Sequence, residues 1–245
     1  PENWHEVVPH RADVFIEAVA AFQNHLVLFE RKDGLKQIRV SAADGITGVH
    51  QIAFPDPVYD VRPEENPEFK TNAVRFTYSS LISPNSVIDF HMDTREWELR
   101  KLQEIPSGYD PSAYQIERLH AFAPDGTRIP ISLVHRKGIR KDSRNPALLY
   151  GYGSYGMSMD AGFSTARFSL VDRGFVFAIA HIRGGSELGR PWYDNGKLLS
   201  KRNTFTDFIA CAECLISEGY TSQDSLAIMG GSAGGLLMGA CLTMR

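Results

Sequence analysis

Cysteine is scarce in this chain, with only Cys211, Cys214 and Cys241 in 245 residues. That is too few for a disulfide-stapled secreted fold, and it fits a reducing, cytoplasmic compartment. Cys211-x-x-Cys214 has the spacing of a redox or zinc pair. It falls inside a helical pattern, however, and Cys241 brings no paired ligand, so we read two small residues on a packed helix and no metal site. Charge of one sign is lacking too: 26 Lys and Arg stand against 29 Asp and Glu, with no basic block. This argues against nucleic acid or an anionic membrane surface as partner. No apolar run approaches the ~20 residues that span a bilayer. The first residues, Pro1-Glu2-Asn3-Trp4-His5, offer no initiator Met and neither the charged nor the apolar region of a signal peptide. We expect a cut edge there, with any signal peptide lost beyond it. A last absence concerns Ala233–Arg245, which contains no Asp, Glu or His.

What is present suffices for a sizeable core: 43% of residues are hydrophobic and 22% charged, the balance of a soluble globular chain of one large or two modest domains. Two textures divide it. Residues 1–108 read as short strands between turns, among them Leu26–Glu30, Gln37–Val40, Ala73–Tyr78, Val87–His91 and Trp97–Leu102. Alternation and Asp-Gly turns argue for antiparallel meanders, roughly two blades of a propeller or part of a sandwich. Ile105–Ser112, with two prolines and a glycine, is the expected boundary. From residue 109 to 245 one hairpin (Glu117–Phe122 and Ile129–His135, around Asp125-Gly126) gives way to alternating strands and helices. We expect strands at Ala147–Tyr150, Phe175–Ala180 and Leu226–Met229, and helices over Phe163–Val171 and Phe205–Ile216. Thr204 and Asp207 have the spacing of a capping signal and Gly219 that of a helix stop. Such alternation predicts a mostly parallel sheet covered on both faces.

One segment carries chemistry. Leu226–Met229 reads as a buried strand, and Gly230-x-Ser232-x-Gly234 follows it at the head of a helix. That is the spacing of a nucleophile elbow, in which a serine at a strained turn projects its hydroxyl from the top of a sheet. Side chains at Gly230 and Gly234 would clash with the neighbouring strand and helix. A helix beginning at Ala233 aims backbone N–H groups and its positive dipole end at the place where an oxyanion would form.

Several motifs surround the elbow in fixed order. They are Leu149-Tyr150-Gly151-Tyr152-Gly153-Ser154-Tyr155-Gly156, Asp172-Arg173-Gly174-Phe175-Val176, His181-Ile182-Arg183-Gly184-Gly185-Ser186-Glu187-Leu188-Gly189, Trp192-Tyr193, Gly196-Lys197, Asn203-Thr204-Phe205 and Gly230–Gly235. This series resembles the prolyl oligopeptidase family of serine peptidases. Gly153-Ser154-Tyr155-Gly156 and Ser232-Ala233 are closer to its oligopeptidase B branch. The resemblance is specific over 109–245 and looser before that. It implies an α/β fold: the N-terminal portion of an α/β-hydrolase domain, up to the elbow, preceded by the last blades of a β-propeller, in a chain truncated at both ends. It further implies that Ser232 is the nucleophile and that Tyr152 and the Ala233 amide form the oxyanion hole. Tyr155 is a candidate for lining the substrate cleft. No metal or cofactor is implied.

His181 is a tempting general base, but the fold's chain order runs Ser, then Asp or Glu, then His. The same order disqualifies His25, His50, His91 and His135, and we expect His181 to be structural. Arg183-Gly184-Gly185 is read as holding a loop, with capture of a substrate carboxylate as the alternative. Ser186 departs from the glycine usual in the family at that loop. The expected function is a serine-type oligopeptidase acting on short peptides after basic residues, with the triad Asp and His absent from this chain. Residues 1–245 alone are expected to turn over little, and an exposed sheet edge beyond the elbow to promote aggregation. Other acyl hydrolases (esterase or acylaminoacyl peptidase) and a non-catalytic propeller interaction protein are the alternatives. The oligomeric state is not indicated.

Overall fold

The computed structural model describes residue 2 and residues 4–245. β1 (Val14–Ala21), β2 (His25–Lys32), β3 (Leu35–Ala42) and the short β4 (His50–Gln51) form one four-stranded sheet. β5 (Tyr59–Pro63), β6 (Ala73–Ser80), β7 (Ser86–His91) and β8 (Trp97–Leu102) form a second. Both are antiparallel meanders paired in chain order, the build of propeller blades. The turn between β2 and β3 shows why local sequence suffices here. Asp33 and Gly34 both take positive φ, 50° and 76°, as a two-residue type I′ hairpin requires. One apolar cluster joins the two sheets, with Val27, Phe29, Ile38 and Val40 meeting Val74, Phe76, Ile88 and Phe90. β1 is absent from the sequence expectation for a physical reason. Its register slips at a bulge between Ile16 and Ala18, so the alternation that marks a strand changes phase in the middle.

The second half contains β9 (Tyr114–Phe122), β10 (Arg128–Arg136), β11 (Ala147–Tyr150), α1 (Thr165–Val171), β12 (Val176–Ala180), α2 (Arg190–Asp194), α3 (Arg202–Ser217), β13 (Leu226–Met229) and α4 (Ala233–Met244). The five strands form one sheet in the order β13-β11-β12-β10-β9. β11 runs parallel to β12 and β13, but β10 is antiparallel to both β12 and β9. The expectation of a mostly parallel sheet is therefore corrected: a hairpin supplies two of its five strands, antiparallel to each other, and it docks with β10 antiparallel to β12.

Residues of alternate parity cover the two faces. Ile131, Leu133, Leu149, Val176 and Ala178 pack on Phe208, Cys211 and Leu215 of α3 and Leu237 of α4. Val134, Phe177 and Ile179 pack on Phe168 and Val171 of α1, and on Val58 and Leu81 from the first half. That second face is the seam between the halves. Ion pairs reinforce it: Asp160 receives Arg31 and Lys36, each at 2.9 Å, and Lys36 also reaches Asp60 at 2.6 Å. Among the described residues no helix is long and apolar enough to cross a membrane.

α3 starts at Arg202, not Phe205, which overturns the capping reading of Thr204 and Asp207. Both lie inside the helix and are fully buried. Gly219, with φ 77°, does follow the helix end, its amide donating to the Ile216 carbonyl at 3.0 Å.

Candidate active site

Two parallel strands deliver the predicted site residues to one edge of the sheet. Tyr150 of β11 lies opposite Met229 of β13, and the Gly151 amide donates to the Met229 carbonyl at 3.1 Å. Both chains then break into turns beyond the carboxyl ends of their strands, where open α/β sheets build their sites.

In the turn after β13, Ser232 takes φ 54° and ψ −120° and α4 begins at the next residue. Such a conformation costs a non-glycine residue about 1–3 kcal/mol and clusters at functional sites. A Cβ on Gly230 would lie 2.6 Å from the Gly234 carbonyl oxygen and 2.9 Å from that of Gly151. One on Gly234 would lie 3.0 Å from the Gly151 oxygen, so the elbow glycines are set by close backbone approach. Gly231 and Gly235 face open space. Ser232 is exposed. Its hydroxyl and the Ala233 amide have no hydrogen-bond partner among the described residues, so the first N–H of α4 is available to a ligand.

In the turn after β11, the Tyr152 ring and Cα come 3.6 and 3.7 Å from where a Gly234 Cβ would stand. The tyrosine is thus beside the first turn of α4. Gly153, φ 64°, slots between Ile182 and Thr204, where a Cβ would meet the threonine methyl at 2.4 Å. Tyr155 has φ 57° and its residue is 76% exposed, and the adjoining Gly156 amide donates to the Gly184 carbonyl at 3.0 Å.

The loop after β12 buttresses this turn. Arg183 donates through Nε and Nη2 to Asp207 at 2.8 and 2.6 Å and through Nη1 to Asp125 at 2.6 Å. Its amide also donates to Asp207, at 3.0 Å. Burial alone would lower the Arg183 pKa, but the two carboxylates outweigh it and hold it above its ordinary value. Hydrogen bonding to Arg183 brings Asp125 down to about 2. This guanidinium is consumed inside the protein, so it holds the loop and is not presented to a substrate carboxylate. Thr204 adds to the clamp, its hydroxyl within hydrogen-bond distance of the Arg183 and Gly196 carbonyls at 2.8 and 3.1 Å. Sequence reasoning missed the roles of Thr204 and Asp207. The available signal was an acid directly before Phe208 on the apolar face of a helix, where only a buried partner makes it tolerable.

His181 is buried, with Nε2 2.7 Å from the Ser132 hydroxyl, and burial lowers its pKa to about 4. It is a neutral structural imidazole. His135 is held by Glu117 at 2.8 Å, and Arg128 donates to His120 at 3.1 Å. In the Arg183 loop, Glu187 is buried against Gly185. It accepts from the Met159 amide at 2.9 Å, and burial raises its pKa to about 7.

Two family models match the chain. Residues 1–103 match the prolyl oligopeptidase N-terminal beta-propeller domain, and residues 161–245 match the prolyl oligopeptidase family itself. The chain belongs to the prolyl oligopeptidase family. Among its relatives, dipeptidyl aminopeptidase BI of Pseudoxanthomonas mexicana is 46% identical over 244 residues, which is 99% of this chain and 33% of that protein. Oligopeptidase B from Leishmania major superposes with a TM-score of 0.90 at 44% identity, over 100% of this chain and 36% of that one. Oligopeptidase B from Trypanosoma brucei, in a closed form with covalently bound antipain, gives 0.89 at 40% identity, over 98% of this chain and 35% of that one. The chain spans about a third of the length of these proteins. Its two halves are accordingly propeller blades followed by α/β-hydrolase structure, the order the sequence implied.

Proposed function

We propose that this chain is the nucleophile-bearing part of a serine oligopeptidase that hydrolyses short peptides after basic residues. We further propose that residues 1–108 belong to the propeller and 109–245 to the hydrolase domain. Ser232 attacks the scissile carbonyl, the carbonyl electron pair moves onto oxygen, and the serine proton passes to a general base. The oxyanion is received by the Tyr152 hydroxyl and the Ala233 amide, donors set before the charge develops and each worth ~3 kcal/mol or more. Collapse expels the amine, which takes the proton from the base, and water releases the acyl group from Ser232. Tyr155 lines the cleft that holds the peptide.

The observation that carries this reading is the strained φ of Ser232 at the head of α4, with Tyr152 packed against the same turn. We take the base to be a histidine that follows Ser232, the chain order of this fold; His120, His135 and His181 are engaged elsewhere. The preference for Lys or Arg is supported by the likeness to oligopeptidase B, and no residue of this site selects a side chain. Three free cysteines support a reducing cytoplasm as the compartment.

The test is hydrolysis by the full-length protein of chromogenic peptide amides that differ only in the P1 residue. Faster turnover after Arg or Lys than after Pro is the expected result. Hydrolysis of simple esters with none of the amides would transfer the function to an esterase.

A further inference from the structure

α3 presents a polar edge to both buttressed turns. Lys201 precedes it directly, and Lys201, Thr204 and Asp207 recur at three-residue spacing, which brings them to one face. Thr204 and Asp207 serve the Arg183 loop, as described above. Lys201 serves the other turn. Its Nζ donates to the Gly153 carbonyl at 2.5 Å and to the Ser154 hydroxyl at 2.8 Å. Among the described residues no carboxylate pairs with this ammonium, and no other donor reaches the Gly153 carbonyl. Gly153 and Ser154 are buried, and burial lowers the Lys201 pKa. A partly desolvated cation without an anion is costly, and here its hydrogen bonds go to the two residues that immediately follow Tyr152.

We infer that Lys201 is a positioning residue for oxyanion stabilisation: it pins the Gly153 carbonyl and the Ser154 hydroxyl and so fixes the turn that aims the Tyr152 phenol. The backbone ties the turn at its two ends, through the Gly151 amide to Met229 and the Gly156 amide to Gly184. Lys201 holds the two residues between them that follow Tyr152. An ammonium suits the task, because its rotatable donors satisfy two acceptors at once. The inference rests on the reading of Tyr152 as an oxyanion donor.

The experiment is a set of variants of the full-length protein: Lys201→Met, Ser154→Ala, Tyr152→Phe, and each of the first two combined with Tyr152→Phe. Each is assayed for kcat, KM, melting temperature and affinity for a peptide aldehyde. Ser232 adds to the aldehyde carbon, the carbonyl electron pair moves to oxygen and the serine proton goes to the base, so the inhibitor probes the same oxyanion contacts. A displacement of about 1 Å at a reacting site costs on the order of 100-fold. Lys201→Met is therefore expected to lower kcat by about 10- to 100-fold and weaken the aldehyde by a similar factor, with KM within about 3-fold. In the Tyr152→Phe background the same change costs less than about 3-fold, because no hydroxyl is left to aim. Ser154→Ala gives a smaller version of this pattern and carries the test if Lys201→Met does not fold. Unchanged kcat, or an undiminished cost in the Tyr152→Phe background, would overturn the role of Lys201. Tyr152→Phe with wild-type kcat and aldehyde affinity would instead overturn the oxyanion assignment, and this inference with it.

Discussion

The turn after β11 and the turn after β13 leave adjacent parallel strands at the same level, yet they are held in different ways. The first is enclosed. Gly153 and Ser154 are buried between the Arg183 loop and the start of α3, and polar anchors reach it from Gly184 and Lys201. The second is open on one side. Among the described residues β13 pairs only with β11, Leu236 and Leu242 of α4 are exposed, and Ile209, Ile216, Leu226 and Ile228 line a groove of about 570 Å³ between α3, α4 and β13. Ser232 therefore takes its position from its own backbone and from the Gly230–Gly234–Gly151 approach. Tyr152 takes its position from side chains spread over the hydrolase half.

Replacing each site residue breaks one side of this comparison. Ser232→Ala in the full-length protein is expected to lower kcat by at least about 10⁴-fold with little change in melting temperature, since it removes the covalent step at a residue that is exposed in residues 1–245. Tyr152→Phe is expected to lower kcat by about 10²–10³-fold at similar KM, the loss of one preorganised donor. Steady-state kinetics with a peptide amide reads both.

A pair of glycine substitutions sharpens the contrast between enclosed and open. At Gly184, φ is 100° and a Cβ would stand 2.0 Å from the Gly153 carbonyl oxygen. Gly184→Ala should cost about 3 kcal/mol or more in chemical denaturation, combining strain with overpacking. Gly235→Ala, in α4 with nothing near its Cβ position in this chain, should stabilise residues 1–245 by up to about 1 kcal/mol. Sedimentation of this same polypeptide is expected to reveal self-association through the β13 edge and the α4 face, and Leu242→Lys to reduce it.

The smallest effect concerns pH. Folding gives Glu187 a pKa of about 7 through burial, above its ordinary 4.5. The folded state thus holds a proton that the unfolded chain releases, and the stability this contributes is complete below about 4.5 and lost as pH rises through 7. His181, lowered by burial to about 4, acts in the opposite sense, its contribution present above about 6.5 and lost as pH falls towards 4. Arg31 and Asp160 bear on both groups. Glu187→Gln should flatten the fall in melting temperature between pH 5 and 8 by the equivalent of about 1–3 kcal/mol. An unchanged pH profile would place the proton elsewhere.

The sequence revealed the parts whose geometry is local. The elbow is legible because Gly230 and Gly234 leave no room for a side chain, and Asp33-Gly34 because its turn demands two positive φ values. The ordered motifs of the second half gave the family. Less visible was anything settled by residues far apart. The antiparallel placing of β10 beside β12 depends on how a hairpin docks, and no local pattern encodes that. Thr204 and Asp207 look like caps because their true partner, Arg183, lies some twenty residues earlier. Lys201 looks like one more surface charge until the chain folds Gly153 against it. Lys201, Thr204 and Asp207 do share one helix face, but that spacing does not reveal which distant loops they hold.

The most direct test of the account is covalent labelling of the full-length protein with a fluorophosphonate, followed by peptide mapping. The account predicts one phosphonylated residue, Ser232, and no labelling of Ser232→Ala. A fully folded protein that takes no label, or takes it on another serine, would contradict it.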